Sequence, residues 1–402
     1  MVESTLPSSP PALPGSLPVA STDRIASLDI LRGLALFGIL LINITSFSLV
    51  FAATGNPFYA GELSSLDFGA WWLNHNLVEG RAISVFGILF GAGIILSTEQ
   101  KDRFRLPVAA HFYRRYGILA GIGLIHAYFV WFGDILFPYA LAAFLVFLMR
   151  KFSPKILMPL GVLLVTIGIA IYSTFYSFSF FKLDDFTWPS SEEVAKEIAT
   201  VRGPWLGWFI RNAIMAASMH FAAIPMGLGA FCAGLMLIGI GLYKTQFFQG
   251  GWSVRSYLLV SLGIALGALM TTTPEQVLLR SQHQLPYYRV FIGELGPTVM
   301  ALGYLALTIL LLRKERIARL LSLFAPAGRM ALTLYLMQSI VCGLVFSGYG
   351  LGKFETMSQF PLWIFCLVFY LVQILFAHLW LKRYSFGPLE WAWRRLSYGK
   401  LK

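Results

Sequence analysis

Residues 116–150 read YGILAGIGLIHAYFVWFGDILFPYALAAFLVFLMR. Between Tyr116 and Arg150 the only ionisable side chains besides tyrosine are His126 and Asp134. Two apolar runs, 116–133 and 135–150, meet at Gly133-Asp134. Neither alternates with period two, and both approach the roughly 20 residues that an α-helix needs to cross about 30 Å of hydrocarbon. The stretch therefore predicts a tight helical hairpin inside a membrane.

The rest of the chain agrees. Its 402 residues are 57% hydrophobic and only 12% charged, against about 25% charged in a soluble domain. A soluble globule of this composition would expose large apolar patches, and a disordered chain needs the opposite balance. Ten apolar stretches are expected to span: 30–52, 82–98, 116–133, 135–150, 155–178, 219–243, 253–272, 290–312, 329–347 and 361–381. The fold class is all-α, a polytopic membrane protein. Residues 1–23, rich in Pro and Ser, read as a disordered tail rather than a cleaved signal. A transmembrane domain follows over 24–385, including an outer segment 182–218 whose residues 190–218 suggest an interfacial amphipathic helix. Residues 386–402 form a cytoplasmic interfacial collar.

Orientation comes from the basic residues. With the N-terminus inside, 22 of the 31 Lys and Arg fall on inner segments and seven on outer ones. That asymmetry fits ten helices with both termini cytoplasmic. The net charge of +12 is thus assigned to the inner membrane face and not to nucleic acid, for which no motif exists. Cys232, Cys342 and Cys366 stand singly in apolar runs, so neither a disulfide framework nor a metal ribbon is indicated. No HExxH, Walker A or GxSxG pattern occurs, and no metal is expected. Gly87-x3-Gly91, Gly117-x3-Gly121 and Gly263-x3-Gly267 predict close helix packing.

Ionisable groups are costly in lipid, so they mark where chemistry is sought. Asp29 and Arg32, three apart in Ser27-Leu-Asp-Ile-Leu-Arg-Gly33, share a helical face. Asn43 lies eleven residues, about 16 Å, further in. Arg81 opens the second span. His126 sits near mid-bilayer, where neutral imidazole is the usual proton acceptor. Asp134 and Tyr139 mark the outer end of the hairpin. Arg329, Tyr335 and Gln338 advance by near-whole turns and predict one polar stripe.

Those residues lie in longer motifs: Ser27–Gly33 with Asn43, Leu89-Phe-Gly-Ala-Gly93, Ile125–Asp134, Gly328-Arg-Met-Ala-Leu-Thr-Leu-Tyr335 with Gln338, and Gly387-Pro-Leu-Glu-Trp-Ala-Trp-Arg394. Over about Arg24 to Tyr398 the chain closely resembles the YeiB-like family of bacterial inner-membrane proteins, a domain-of-unknown-function family. That family is distantly similar to the transmembrane acyltransferase superfamily, chiefly at Asp29, Arg32, Gly33 and Asn43. The superfamily's catalytic histidine precedes its second helix; His75 lies near that place without the surrounding motif.

The resemblance implies an acyltransferase that takes cytoplasmic acyl-CoA as cosubstrate and passes the acyl group to a small-molecule or glycan acceptor across a lipid membrane. In that reading Arg24, Arg32, Arg115 and Arg329 hold the CoA phosphates. Asn43 stabilises the oxyanion, and His126 is the base, with Asp134 and Asp29 as the catalytic carboxylates. Arg81, Tyr139, Tyr335 and Gln338 face the acceptor. A proton-coupled transporter using His126 and Asp29, or a non-enzymatic assembly factor, remains open as an alternative.

Overall fold

A computed structural model describes residues 25–54, 57–59, 61–103, 107–181, 190–281 and 287–398. The 1–23 tail, Arg24, Arg105 and residues 182–189 of the outer segment lie outside the described residues. Every regular element among the described residues is helical. In chain order they are α1 (Ala26–Ser48), α2 (Ser65–Leu77), α3 (Arg81–Arg103), α4 (Val108–Phe129), α5 (Leu136–Met149), α6 (Pro154–Phe181), α7 (Ser191–Arg202) and α8 (Trp205–Ser218). A π-helical stretch, Met219–Leu228, joins α8 to α9 (Gly229–Lys244). Then come α10 (Val254–Ser261), α11 (Gly263–Ser281), α12 (Tyr287–Leu311), α13 (Glu315–Leu321), α14 (Ala325–Arg329), α15 (Ala331–Phe346), α16 (Gln359–Arg383) and α17 (Pro388–Tyr398).

Seven helical segments among the described residues are long and apolar enough to cross a bilayer, which makes this a multi-pass membrane protein. An eighth is a bent pair, Glu315–Arg329 and Ala331–Phe346, meeting at 74°. That bend overturns the expected continuous helix over 329–347: Arg329 ends α14, while Tyr335 and Gln338 belong to α15. Residues 190–218 also differ from expectation. α7 is short and polar, begins with a Ser190–Glu193 capping box, and stops at Gly203-Pro204. α8 then runs on into the apolar stretch Trp205–Lys244.

Backbone contact sets the packing. A β-carbon at Gly328 would lie 1.8 Å from the Asp29 carbonyl oxygen, and one at Gly33 would lie 2.1 Å from that of Phe324. α1 and the α14 region therefore touch main chain to main chain, and the Tyr370 hydroxyl of α16 donates to the Gly33 carbonyl. Gly91 meets Met236 of α9 as closely, and Gly267 meets Gly296 of α12, as their spacing predicts. Gly117 and Gly121 do not: both face open space on α4. Their spacing is that of a packing motif, but among the described residues no helix lies against that face.

α17 docks on the bundle through a borrowed cap. α15 has no capping side chain of its own at Met330. Instead the Glu390 carboxylate accepts from Thr333 N at 3.0 Å and from Thr333 Oγ1 at 2.5 Å, while Leu389 N donates to Thr333 Oγ1 at 3.1 Å. This satisfies a backbone donor that the helix start leaves unpaired. Trp393 adds a second anchor on α4, donating to the Arg115 carbonyl at 2.8 Å beneath the Arg115 guanidinium. Burial pushes the Glu390 carboxyl above its usual range, while its Thr333 hydrogen bonds pull the other way.

Two outcomes are expected. Gly328→Ala forces α1 and α14 apart and should lower the melting temperature by the equivalent of about 1–3 kcal/mol, whereas Gly117→Ala should be neutral or slightly stabilising. Equal effects of the two would contradict the packing. Glu390→Ala should cost about 1 kcal/mol and expose α17 to limited proteolysis. Because the folded chain holds the Glu390 proton more tightly than the unfolded chain, this residue favours folding at acidic pH. That contribution declines as pH rises through the elevated range of the carboxyl. Melting curves of wild type and Glu390→Gln across pH should differ in slope there and not elsewhere.

Candidate functional site

The α1–α14 contact brings the motifs at the two ends of the chain together around a cavity of about 280 Å³. Asp29 and Arg32 of α1, Arg115 of α4, Arg329 of α14 and Glu390 and Arg394 of α17 line it. Four guanidiniums thus face two carboxylates. One carboxylate is engaged by Arg32, whose Nη1 lies 3.3 Å from Asp29 Oδ1, and the other caps α15. Gly93 leaves room for the Arg32 side chain, since a β-carbon there would come within 3.2 Å of its Nη2. The balance is positive and the geometry suits an anion.

Polarity changes along the walls. Further along α1 come Leu36 and Ile39; the facing wall of α3 carries Phe86 and Phe90, and Leu119 follows Arg115 on α4. Tyr139 and Tyr335 also line the cavity, and both are nearly fully buried. The space therefore offers a charged mouth, an apolar wall and a pair of phenols.

Behind Tyr335 lies the hairpin that the sequence singled out. His126 and Asp134 are each 1% exposed, with His126 Nδ1 2.8 Å from Asp134 Oδ2. Asp134 Oδ1 accepts from Phe137 N at 2.8 Å, which fixes the carboxylate at the start of α5. Gly123 makes room, because a β-carbon there would sit 2.8 Å from Asp134 Oδ1. In its ionised form the Asp134 carboxylate only accepts, and it then orients His126 with the proton on Nδ1 and the lone pair on Nε2. That Nε2 is buried and has no hydrogen-bond partner among the described residues. The Tyr335 ring stands 5.2 Å from the His126 ring, and its hydroxyl donates to Gly133 O at 3.4 Å.

The remaining candidates fall elsewhere. Asn43 is half-buried and is not part of the cavity wall. Arg81 is buried at the α2–α3 turn, donating to the carbonyls of His75 and Glu79 and to Thr271 Oγ1, which suits it to hold that turn. Gln338 donates to Gln373 Oε1 at 2.9 Å and ties α15 to α16. Sequence reasoning missed Asn212. Its side chain accepts from Phe132 N and donates to the carbonyls of Ala127 and Tyr128, clamping the α4–α5 turn. The signal was an amide among apolar residues in Ile210-Arg-Asn-Ala-Ile214, obscured by reading the segment as interfacial.

Known proteins resemble this chain along most of its length. The family model described as "Protein of unknown function (DUF418)" matches residues 242–400. A Bacillus subtilis (strain 168) protein, "Uncharacterized protein YxaH", is 29% identical across 95% of this chain and 96% of its own length. "Uncharacterized protein YeiB" of Escherichia coli (strain K12) is 28% identical across 93% and 96%. An "Uncharacterized 39.9 kDa protein in amylase 3'region" of Bacillus acidopullulyticus is 29% identical across 95% and 96%. No solved structure gives a significant match. Over nearly its whole length the chain is thus similar to YeiB and YxaH, and its C-terminal portion matches the DUF418 model.

Proposed function

We propose that this protein is an integral membrane acyltransferase of the bacterial inner membrane, moving an acyl group from cytoplasmic acyl-CoA to an acceptor in the envelope. One observation carries the reading: a buried imidazole with an unpartnered Nε2 stands behind a tyrosine that lines an arginine-rimmed cavity. The CoA phosphates bind among Arg32, Arg115, Arg329 and Arg394. The pantetheine arm follows the apolar wall toward Tyr335. His126 Nε2 takes the proton of the acceptor hydroxyl or amine as that atom attacks the thioester carbonyl. The tetrahedral intermediate then collapses with expulsion of the CoA thiolate, which receives the proton from the imidazolium. Asp134 holds the ring and stabilises its charged form. Asn43, off the cavity wall, has no part in this scheme.

The reading implies ten crossings with both ends inside. Seven segments, the bent pair, α4 and α5 make up that number. The cavity mouth then faces the cytoplasm and its acyl-CoA. A specific feature favours transport as the second reading: the 74° break places the start of α15, Ala331 and Leu332, on the cavity wall, as in broken-helix transporters.

Purified protein in nanodiscs should bind acyl-CoA. Arg115→Gln and Arg329→Gln should each weaken that binding about tenfold or more. His126→Ala should leave binding intact while lowering acyl transfer to a supplied acceptor by about 10²–10⁴. Absence of binding, with pH-driven uptake into proteoliposomes, would replace this reading by the transporter. Topology is tested by labelling intact cells with an impermeant thiol reagent, since the three native cysteines are buried. Glu192→Cys should label from outside and Trp391→Cys should not; the reverse pattern would overturn the orientation.

A further inference from the structure

Two aromatic rings close in on His126, and both rest on one glycine. The Tyr335 ring stands 5.2 Å from the imidazole and the Trp131 ring 6.5 Å from it. A β-carbon at Gly133 would lie 2.1 Å from Cη2 of Trp131, so the indole lies against a backbone that only glycine leaves bare. The carbonyl of the same Gly133 accepts from the Tyr335 hydroxyl. The imidazole itself is shut in, its Nε2 buried without a hydrogen-bond partner among the described residues.

The two rings lead toward different ends of the bundle. Tyr335 lines the arginine cavity and Trp131 does not. Trp131 lies just past the end of α4 and stacks on Phe47 at a centroid distance of 4.4 Å. Phe47 is fifteen residues beyond Arg32 on α1, roughly 22 Å further along that helix. Four residues later Phe51 is 53% exposed, so the Trp131–Phe47 stack closes the end of the bundle away from the arginine mouth.

Closure has a cost at both rings. A buried indole N–H normally finds an acceptor, yet Trp131 Nε1 has none among the described residues. The Tyr335 hydroxyl reaches Gly133 O only at 3.4 Å, which is long for such a bond. Packing, more than hydrogen bonding, therefore holds both rings in place. A rotation that brings either polar group to water or to a ligand gains what the shut state lacks.

We propose that Trp131 and Tyr335 are two gates on one imidazole. Tyr335 opens His126 to the arginine cavity, and Trp131 opens it to a small hydroxyl- or amine-bearing molecule from the opposite face. Gly133 is the seat on which both close. With both shut, no open route joins the two compartments through His126. Trp131 acts by controlling access and is not itself a catalytic residue. The proposal rests on the acyl-transfer reading for what passes each gate, the donor at Tyr335 and the acceptor at Trp131, but not for the gating.

Gating is read without any substrate. His126→Cys places a thiol at the shut position, and the three native cysteines are buried. A charged, membrane-impermeant methanethiosulfonate reagent should label it slowly in right-side-out and in inside-out vesicles alike. Adding Trp131→Ala should raise the rate at least about tenfold from one side only, and adding Tyr335→Ala should raise it from the other. Gly133→Ala should act like Trp131→Ala, because its β-carbon displaces the indole. If Trp131→Ala does not fold, Gly133→Ala alone decides. Failure of these variants to speed labelling overturns the proposal, as does a gain from the same side for Trp131→Ala and Tyr335→Ala. So does a parallel gain at Cys342, fully buried in α15, which reports loosened packing instead of an opened gate. Should Trp131→Ala open the cytoplasmic face and Tyr335→Ala the outer one, the gates are upheld and the orientation given above fails. Absence of acyl-CoA binding would likewise remove the acyltransferase and leave the gates standing.

Discussion

Hydrocarbon gives an ionisable side chain nothing to bond with, and the structure is organised by that constraint. At the hairpin, where lipid cannot help, Asp134 finds His126 at 2.8 Å and a backbone N–H at the start of α5. That pair holds α4 against α5, and Asn212 closes the turn from α8 by bonding both of its sides. At the membrane edge the rule relaxes. Arginines can keep contact with water there, and four of them gather around one opening.

The gathering depends on main-chain contact. Asp29 and Arg32 enter near the start of α1, and Arg329 ends a helix nearly three hundred residues later. They share a cavity because Gly33 and Gly328 let their backbones meet without side chains between. The C-terminal α17 then fastens itself across α15 and α4. It supplies Glu390 as a cap and Trp393 as an anchor, and it presents Arg394 to the same space. Residues from both ends of the chain thus complete one chamber, which accounts for the distance in sequence between the motifs.

Much of this was legible in the sequence. Apolar length located the helices, because a bilayer tolerates few alternatives. The basic residues Arg32, Arg115 and Arg329 stand around one cavity, while His126 and Asp134, whose polarity inside an apolar run singled them out, pair behind the Tyr335 that lines it. What stayed hidden was relational. The bend at Met330 follows from where α15 takes its cap, a carboxylate 57 residues downstream, so no local pattern announces it. Arg81 looked available because its partners, among them two backbone carbonyls, Thr271 Oγ1 and Met300 Sδ, come together only in the fold. Gly117 and Gly121 had the spacing of a packing motif without a helix to pack against.

The account turns on whether the arginine mouth and the His126–Asp134 pair belong to one path. Cryo-electron microscopy of the protein with a non-hydrolysable acyl-CoA analogue addresses this directly. The account predicts phosphate density among Arg115, Arg329 and Arg394, with the acyl carbonyl beside Tyr335 and His126 Nε2 turned toward it. Density in another location, or a ligand at the mouth with Tyr335 still sealing His126 from it, would contradict the account.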